Sequence, residues 1–448
     1  MPNEDYHLRA PVGSDQVDLN VTLHPSIDRC ALQDSRERET HSIQQVVAKM
    51  KAGFEHISKY VRGYDQVMVQ TQLALATGNH HLLVGPTGLG KSYYARAVLN
   101  LFASDVKRYE NQITLETTED QLYGFIPFDR IKDGTGRRNV ESGIVASEVA
   151  FLDEIFDGRD ELLRSLLWTL SDRRYKNGDQ MVQSPLRTVI ACGNYVRKNE
   201  KTGAFLDRFI FQSEISPNLS TIERQAILRN REALCDVPSI SEAQKISTTE
   251  LSAINRHVDE MNLSHDVAMY LDAIISEYNS RTSESSVDVS GRTFRQMGRI
   301  IKAHALLRGQ LAATLDDLSC LALLVPVHLS EADREAFRGS WSEVMRSASG
   351  GEANVVSTLG SLTELTRLIE RGEELCKLTL SQHLLTFLGI TSAQKCSYQG
   401  VLAALDKLQP SLPYFRRYRD DLRATVQEAI KQSRAAEGQD TDVTQGQY

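Results

Sequence analysis

The sequence predicts an α/β domain with a parallel central sheet, followed by a helical domain and a further, mostly helical C-terminal region. Three observations carry that expectation. His81 to Ser92 reads HLLVGPTGLGKS, a short apolar run broken by glycine and followed by a helical pattern. Val149 to Glu154 reads VAFLDE, an apolar run ending in two acids, the pattern of a buried parallel strand that delivers carboxylates to the sheet edge. From about Leu219 strand signals stop and helical periodicity takes over.

The chain of 448 residues has room for two or three domains. Its formal net charge of −8 argues against nucleic acid as the default partner, because no overall basic field steers phosphate backbones toward it. The six cysteines (Cys30, Cys192, Cys235, Cys320, Cys376, Cys396) form no CxxC pair and have no histidine at ligand spacing. That pattern favours free thiols in a reducing compartment over disulfides or zinc. The first residues lack the basic and apolar regions of a signal peptide. No apolar run approaches the ~20 residues that span a bilayer. A cytoplasmic protein without a membrane span is the expectation.

Met1 to about Thr40 is polar and weakly patterned, so residues 1–42 are expected to form a loose extension. A helical pattern starts near Ile43 and a second covers Gln66 to Thr77; the pair is placed to cover a base or to pack on the first strand. Leu82 to Val84 is the first strand, and Gly85-Pro86-Thr87-Gly88-Leu89-Gly90-Lys91-Ser92 is a complete phosphate-binding loop. Its glycines let backbone N–H groups turn inward on phosphate oxygens. Lys91 suits the β- and γ-phosphates, Ser92 suits Mg²⁺, and the helix that follows presents its positive end to the anion. These features point to a nucleotide.

Asn111 to Leu115 reads as a second strand and Thr117 to Tyr123 as a short helix. Asp133-Gly134 and Asn177-Gly178 each sit between extended runs and predict projecting hairpins. Asp153 is suited to hold Mg²⁺ and Glu154 to activate a water as general base. Asp160 to Leu170 is amphipathic, and Arg187 to Asn194 is a further apolar strand with a polar end. In a parallel sheet Asn194 falls beside Asp153, either to orient the water or to help the strand turn out. Arg208, in LDRF, is either paired with Asp207 or an arginine reaching a neighbour's phosphate. Arg292, in SGRT at a helix start, either returns to the nucleotide or lies on the surface.

Helical runs follow at Thr221–Leu234, Thr248–Met261, Ser264–Ser280, Gly291–Leu311 and Thr314–Leu324. Less regular ones cover Glu331–Ser347, Ser361–Cys376, Ser381–Leu388 and Gln399–Leu408, with a break at Gly350-Gly351. Tyr414 to Arg423 interleaves aromatics and arginines, read either as a nucleic-acid platform or, more commonly, as a helix face with aromatic anchors. The expected organisation is an extension (1–42), an α/β nucleotide-binding domain (43–218), a helical lid (219–329), a helical C-terminal region (330–432) and a disordered tail (433–448).

The ordered set GPTGLGKS, VAFLDEI, ACGN, LDRF and SGRT resembles the MoxR family of AAA+ ATPases, and most closely its RavA-like branch. The resemblance covers roughly residues 46–327 and is strong over LLWTLSDRRYKNG. It implies a Mg²⁺-dependent ATPase in a ring, six-membered by kinship, that remodels, activates or assembles a partner protein, often one with a von Willebrand A-type domain. By that resemblance Gly85 to Ser92 match Walker A, Asp153 and Glu154 Walker B, and Asn194 sensor 1. Arg208 matches the arginine finger, Arg292 sensor 2, and the two hairpins the family's inserts. One departure stands out: RavA-like proteins carry a longer, β-rich C-terminal part, and nothing after Ser330 looks like it. Two other functions fit the motifs: a nucleotide-gated scaffold, and the motor subunit of a nucleic-acid enzyme.

Overall fold

The computed structural model describes residues 27–197, 200–216, 220–229, 239–281, 289, 291–324, 331–348, 353–370 and 398–442. Helices α1 (Ile27–Ser58) and α2 (Asp65–Thr77) lead into β1 (His81–Val84), whose four residues are all buried. After α3 (Lys91–Leu99) come β2 (Arg108–Gln112), the short helices α4 (Glu119–Tyr123) and α5 (Phe128–Lys132), and β3 (Val149–Asp153). Then follow α6 (Asp160–Asp172), β4 (Arg174–Asn177), β5 (Gln180–Gln183), β6 (Thr188–Gly193), α7 (Glu200–Leu206) and β7 (Phe211–Glu214).

Five strands form one parallel sheet in the order β2-β3-β6-β1-β7. This is an AAA+ α/β fold. Alternation along β1 fixes which layer each residue faces: Leu83 joins the core under α1, α2 and α3, whereas Leu82 and Val84 join the core under α6 and α7. Burial on both faces explains the unbroken apolar runs of β1, β3 and β6. Each buried Leu, Ile or Phe there contributes about 1.5–3 kcal/mol of transfer free energy. β6 separates β1 from β3, so the end of β6 lies between the phosphate loop and the acidic pair.

One buried polar chain crosses the first core. Tyr94 and Thr71 hydroxyls are 2.6 Å apart, Thr71 Oγ1 is 3.0 Å from His81 Nδ1, and His81 Nε2 is 2.7 Å from Ser213 Oγ. Ser213 bonds Gln70 Oε1, and Gln70 Nε2 donates to Leu323 O at 2.7 Å. Every member is satisfied when each donates to the next, from Tyr94 to Thr71, His81, Ser213 and Gln70. That ordering needs neutral His81 with its proton on Nε2, and burial lowers the His81 pKa to about 3.

Beyond β7 the chain is helical: α8 (Thr221–Arg229), α9 (Thr248–Glu260), α10 (His265–Arg281) and α11 (Gly291–Leu307), then a 3-10 segment at Leu315–Leu324. α9 starts in a capping box, with Glu250 N–H donating to Ser247 Oγ at 3.3 Å and Ser247 N–H to Glu250 Oε2 at 2.8 Å. α9 and α11 pack on α2. Asn255 Nδ2 donates to Leu75 O and Ala76 O at 2.8 Å, and Arg187 donates to Asn255 Oδ1 and Ser252 Oγ. Because Arg187 precedes β6 and Ala76 precedes β1, these contacts seat the helices at the N-terminal edge of the sheet, the edge opposite the phosphate loop. The C-terminal helices are α12 (Glu331–Ser347), α13 (Ala353–Glu370), α14 (Tyr398–Lys407) and α15 (Pro413–Asp442).

Several elements differ from expectation. α1 begins at Ile27, well before Ile43 and inside the expected extension. The second strand lies three residues earlier, at Arg108–Gln112. Asp133-Gly134 joins no hairpin: α5 ends there, with Gly134 at φ 67° and Thr135 N–H donating back to Arg130 O. The second hairpin forms, but Asn177 pairs with Gln180, so the turn is Gly178-Asp179. α7 and β7 carry no periodicity that the sequence reading detects. α15 runs to Asp442, into the expected disordered tail, and 443–448 lie outside the described residues. So do the Ser381–Leu388 run, the Gly350-Gly351 break and residues 1–26.

The Tyr414 cluster is structural. Phe415 is fully buried against Tyr270, Tyr414 bonds Asp272, and the Tyr418 hydroxyl lies 3.0 Å from Thr363. Arg419 pairs with Asp420 and Arg423 with Asp406. These contacts anchor α15 on α10 and α13, with Phe415 buried and Tyr414 and Tyr418 half-buried and hydrogen-bonded.

Candidate active site

The site is built where β1, β3 and β6 end. Gly85 N–H donates to Gly193 O at 3.1 Å, and Ile215 N–H donates to Val84 O at 2.7 Å. Ile215 O therefore crowds Gly85: a Cβ there would stand 2.5 Å from that oxygen. Gly88 and Gly90 take φ of 81° and 86°, left-handed values that let the loop curl and hand over to α3. Tyr64, a residue the sequence reading passed over, braces the loop from behind. Its hydroxyl donates to Leu89 O at 3.0 Å, and its ring packs on Tyr94 at 5.0 Å between centroids. Only its place after Arg62-Gly63, just ahead of α2, marks it in the sequence.

Lys91 is 5% exposed and folds into the loop, donating to Gly85 O at 2.6 Å, Pro86 O at 2.8 Å and Asn194 Oδ1 at 3.0 Å. Asn194 Nδ2 donates in turn to Glu154 Oε1 at 2.6 Å. The amide orientation is forced, since the ammonium needs an acceptor and the carboxylate a donor. Asn194 thus bridges Lys91 to Glu154, as the position of β6 between β1 and β3 requires. Glu154 adopts a left-handed φ of 50°, a conformation that costs about 1–2 kcal/mol for a residue with a side chain. Its Oε2 is buried without a hydrogen-bond partner. A strained acid with one lone-pair set held and the other orphaned is suited to receive a proton from a bound water.

Asp153, half-buried, closes β3, and its Oδ1 accepts from Glu154 N–H at 3.1 Å. Ser92 stands in the first turn of α3. Among the described residues no cluster of three metal-ligating side chains exists. The donors here are one hydroxyl and one carboxylate, which fits a Mg²⁺ that takes most of its oxygens from phosphate and water. Beneath the site, burial and the Asp153 carboxylate push the Cys192 thiol well above its usual pKa, so it stays neutral. Cys192 and Cys320 are both buried free thiols.

Arg208 and Arg292 are not brought to the phosphate loop of their own chain. Arg208 precedes β7, and Arg292 lies in the first turn of α11. Both reach the hydroxyl of Ser171, near the end of α6, and Arg208 also pairs with Asp207 at 3.1 Å. Arg173 stands beside them, with its guanidinium donating to Gly78 O and Arg187 O at the starts of β1 and β6. The pair therefore lies at the N-terminal edge of the sheet. The length of β1 alone, about 13 Å, separates that edge from the loop. Arg292 is carried by the helices that sit at this edge, away from the phosphate loop of its own chain.

The insert around α5 and the β4–β5 hairpin form one unit. Asn177 exchanges two hydrogen bonds with the Arg138 backbone, and Arg137 pairs with Asp179 at 2.7 Å. Phe125, Phe128, Ile131 and Met181 are exposed on it.

Comparison with known proteins places the chain among relatives. Residues 46–256 match the family model described as the MoxR domain in the MoxR-vWA-beta-propeller ternary systems. Two uncharacterized proteins of Methanocaldococcus jannaschii are similar. One is 25% identical over 62% of this chain and 70% of its own length; the other is 28% identical over 55% of this chain and 63% of its own. A structural protein of Acidianus two-tailed virus is 23% identical over 72% of this chain, which spans 57% of that protein. A solved structure of a candidate ATPase from Cytophaga hutchinsonii matches with a TM-score of 0.55 at 20% identity, covering 70% of this chain and 97% of that one. It shares the fold. Residues 46–256 are a MoxR-family domain on an AAA+ α/β fold.

Proposed function

We propose that the protein is a Mg²⁺-dependent ATPase that works as a ring of its own copies, six by family resemblance, and uses the hydrolytic cycle to remodel or assemble a partner protein. The observation that carries the reading is the chain from Lys91 through Asn194 to Glu154. When ATP binds, Lys91 exchanges loop carbonyls for the β- and γ-phosphates, and Asn194 keeps the attacking water near Glu154. Glu154 accepts the water's proton on its unpaired oxygen as the bond to the γ-phosphorus forms and the bond to the β,γ-bridging oxygen breaks. Ser92 and Asp153 would hold Mg²⁺, which supplies charge neutralisation on the phosphates.

Arg208 and Arg292 complete the site of a neighbouring copy. Their shared edge is remote from their own loop, and guanidinium groups there match the charge that develops on a transferring phosphoryl group. The family model's description supplies the partner class we adopt, a von Willebrand A-type protein in a ternary system. Kinship to the RavA-like branch rests on sequence resemblance and does not set the partner. Free buried thiols, with no described helix long and apolar enough to cross a membrane, support a cytoplasmic setting.

The test is a pair of variants in the full chain. Lys91→Ala should lose nucleotide binding, whereas Glu154→Gln should bind ATP and stall. Affinity capture with Glu154→Gln and ATP should retain a von Willebrand A-type protein that Lys91→Ala does not retain. Normal turnover by Glu154→Gln would sink the assignment of the base.

A further inference from the structure

Two guanidinium groups from different parts of the chain converge on one neutral oxygen. Arg208 Nε donates to Ser171 Oγ at 2.5 Å, and Arg292 Nη1 reaches the same atom at 3.4 Å. Arg208 comes from the loop between α7 and β7, and Arg292 from the helical domain. Ser171 sits near the C-terminus of α6, whose apolar face (Leu162, Leu163, Leu166, Leu170) is buried in the core and holds the serine in place. The geometry at Arg208 is directional. Ser171 takes the Nε edge and Asp207 one end of the Nη edge, so the planar fork points away from Ser171.

Arginines outnumber the acids that pair with them here. Arg173, immediately after α6, has its guanidinium pKa lowered to about 10, first by burial and then by the charges of Arg292, Arg299 and Arg187. Asp207, Asp259 and Glu148 pair with Arg208, Arg299 and Arg187. Arg173 and Arg292 have no carboxylate within ion-pair distance among the described residues. A hydroxyl can orient two cations without neutralising them, which leaves their charge for an incoming anion. A carboxylate at the same place would pair with both and compete with that anion.

We propose that Ser171 is a positioning residue for the neighbour's phosphates: its hydroxyl sets Arg208 and Arg292 side by side, so that an arginine of the α/β domain and one of the helical domain approach the neighbouring nucleotide together. This rests on the reading that the two arginines act between copies. Hydrolysis is measured against ATP concentration for the full chain and for Arg208→Ala, Ser171→Ala, Ser171→Thr, Ser171→Asp and the Arg208→Ala/Ser171→Ala double variant. Thermal unfolding is followed for each.

Ser171→Ala should lower kcat about tenfold, the scale of a hydrogen bond to a charged group, with KM and the unfolding midpoint unchanged. Ser171→Thr should restore kcat, and Ser171→Asp should lower it by pairing with the arginines. Adding Ser171→Ala to Arg208→Ala should slow it by clearly less than the Ser171→Ala factor alone, because only the contact with Arg292 is then left to lose. Wild-type kcat in Ser171→Ala beside an impaired Arg208→Ala overturns the role of Ser171 and leaves the finger standing. So does a double variant in which the two losses multiply, or failure of threonine to restore. Wild-type kcat in Arg208→Ala overturns the intersubunit reading itself.

Discussion

At the residue scale, the site turns on one amide. Asn194 is the only side chain among the described residues that bonds both Lys91 and Glu154. Asn194→Ala should therefore lower kcat by a factor on the order of 10–100, with nucleotide affinity within a few-fold; turnover and a fluorescent-nucleotide titration separate the two. Asp153→Asn keeps the strand end and removes a charge suited to Mg²⁺. It should raise the Mg²⁺ concentration needed for half-maximal hydrolysis, and chelation by EDTA should stop the wild type. Hydrolysis unaffected by EDTA would count against Ser92 and Asp153 as metal ligands.

At the element scale, the phosphate loop is held by the strands around it and by a buried chain of hydroxyl, imidazole and amide groups. Gly85→Ala drives a methyl group onto Ile215 O and should cost about 1–3 kcal/mol of stability, with weakened nucleotide binding, readable by urea unfolding. The buried chain has a pH signature. His81 titrates at about 3 in the folded protein and near 6.5 when unfolded. Between those values the unfolded chain binds the extra proton, so stability rises with pH across that window and falls on acidification. The contribution is about 1.4 kcal/mol per pH unit for this one group. His81→Gln should flatten the unfolding free energy between pH 4 and 5.5 by about that slope; an unchanged slope would show that His81 is charged in the fold.

At the scale of the whole molecule, the helical domain has left the nucleotide-facing edge of its own chain. It docks behind α2 through Asn255, Arg187 and the Lys49–Glu250 ion pair at 2.8 Å. One chain therefore carries the loop, acids and Asn194 on one edge and the two arginines on another. Mixing Arg208→Ala chains, impaired alone, with inactive Lys91→Ala chains should raise the activity above that of Arg208→Ala alone, because some interfaces pair an intact loop with an intact arginine. No restoration would exclude action between copies. With Phe415 buried and Tyr414 and Tyr418 engaged with Asp272 and Thr363, single-stranded DNA should leave ATP turnover unchanged.

The local chemistry was legible in the sequence because it is written in contiguous residues. A phosphate loop needs its glycines, lysine and serine in order, and a buried parallel strand announces itself by an apolar run with a polar end. Hence β1, β3, β6 and the candidate residues from Gly85 to Asn194 could be read directly. Edge strand β7, with one outward-facing acid and only four residues, has no such signature, and a dipeptide such as Asp133-Gly134 serves a helix end as well as a hairpin. What only the tertiary structure decided is where distant segments meet. Strand order put Asn194 between Lys91 and Glu154, and packing turned the aromatics of α15 inward. Docking of α9 and α11 at the far edge took Arg292 away from its own phosphate loop and set it with Arg208 on Ser171. Those outcomes depend on burying apolar faces against partners distant in the sequence, and no local pattern encodes which partner wins.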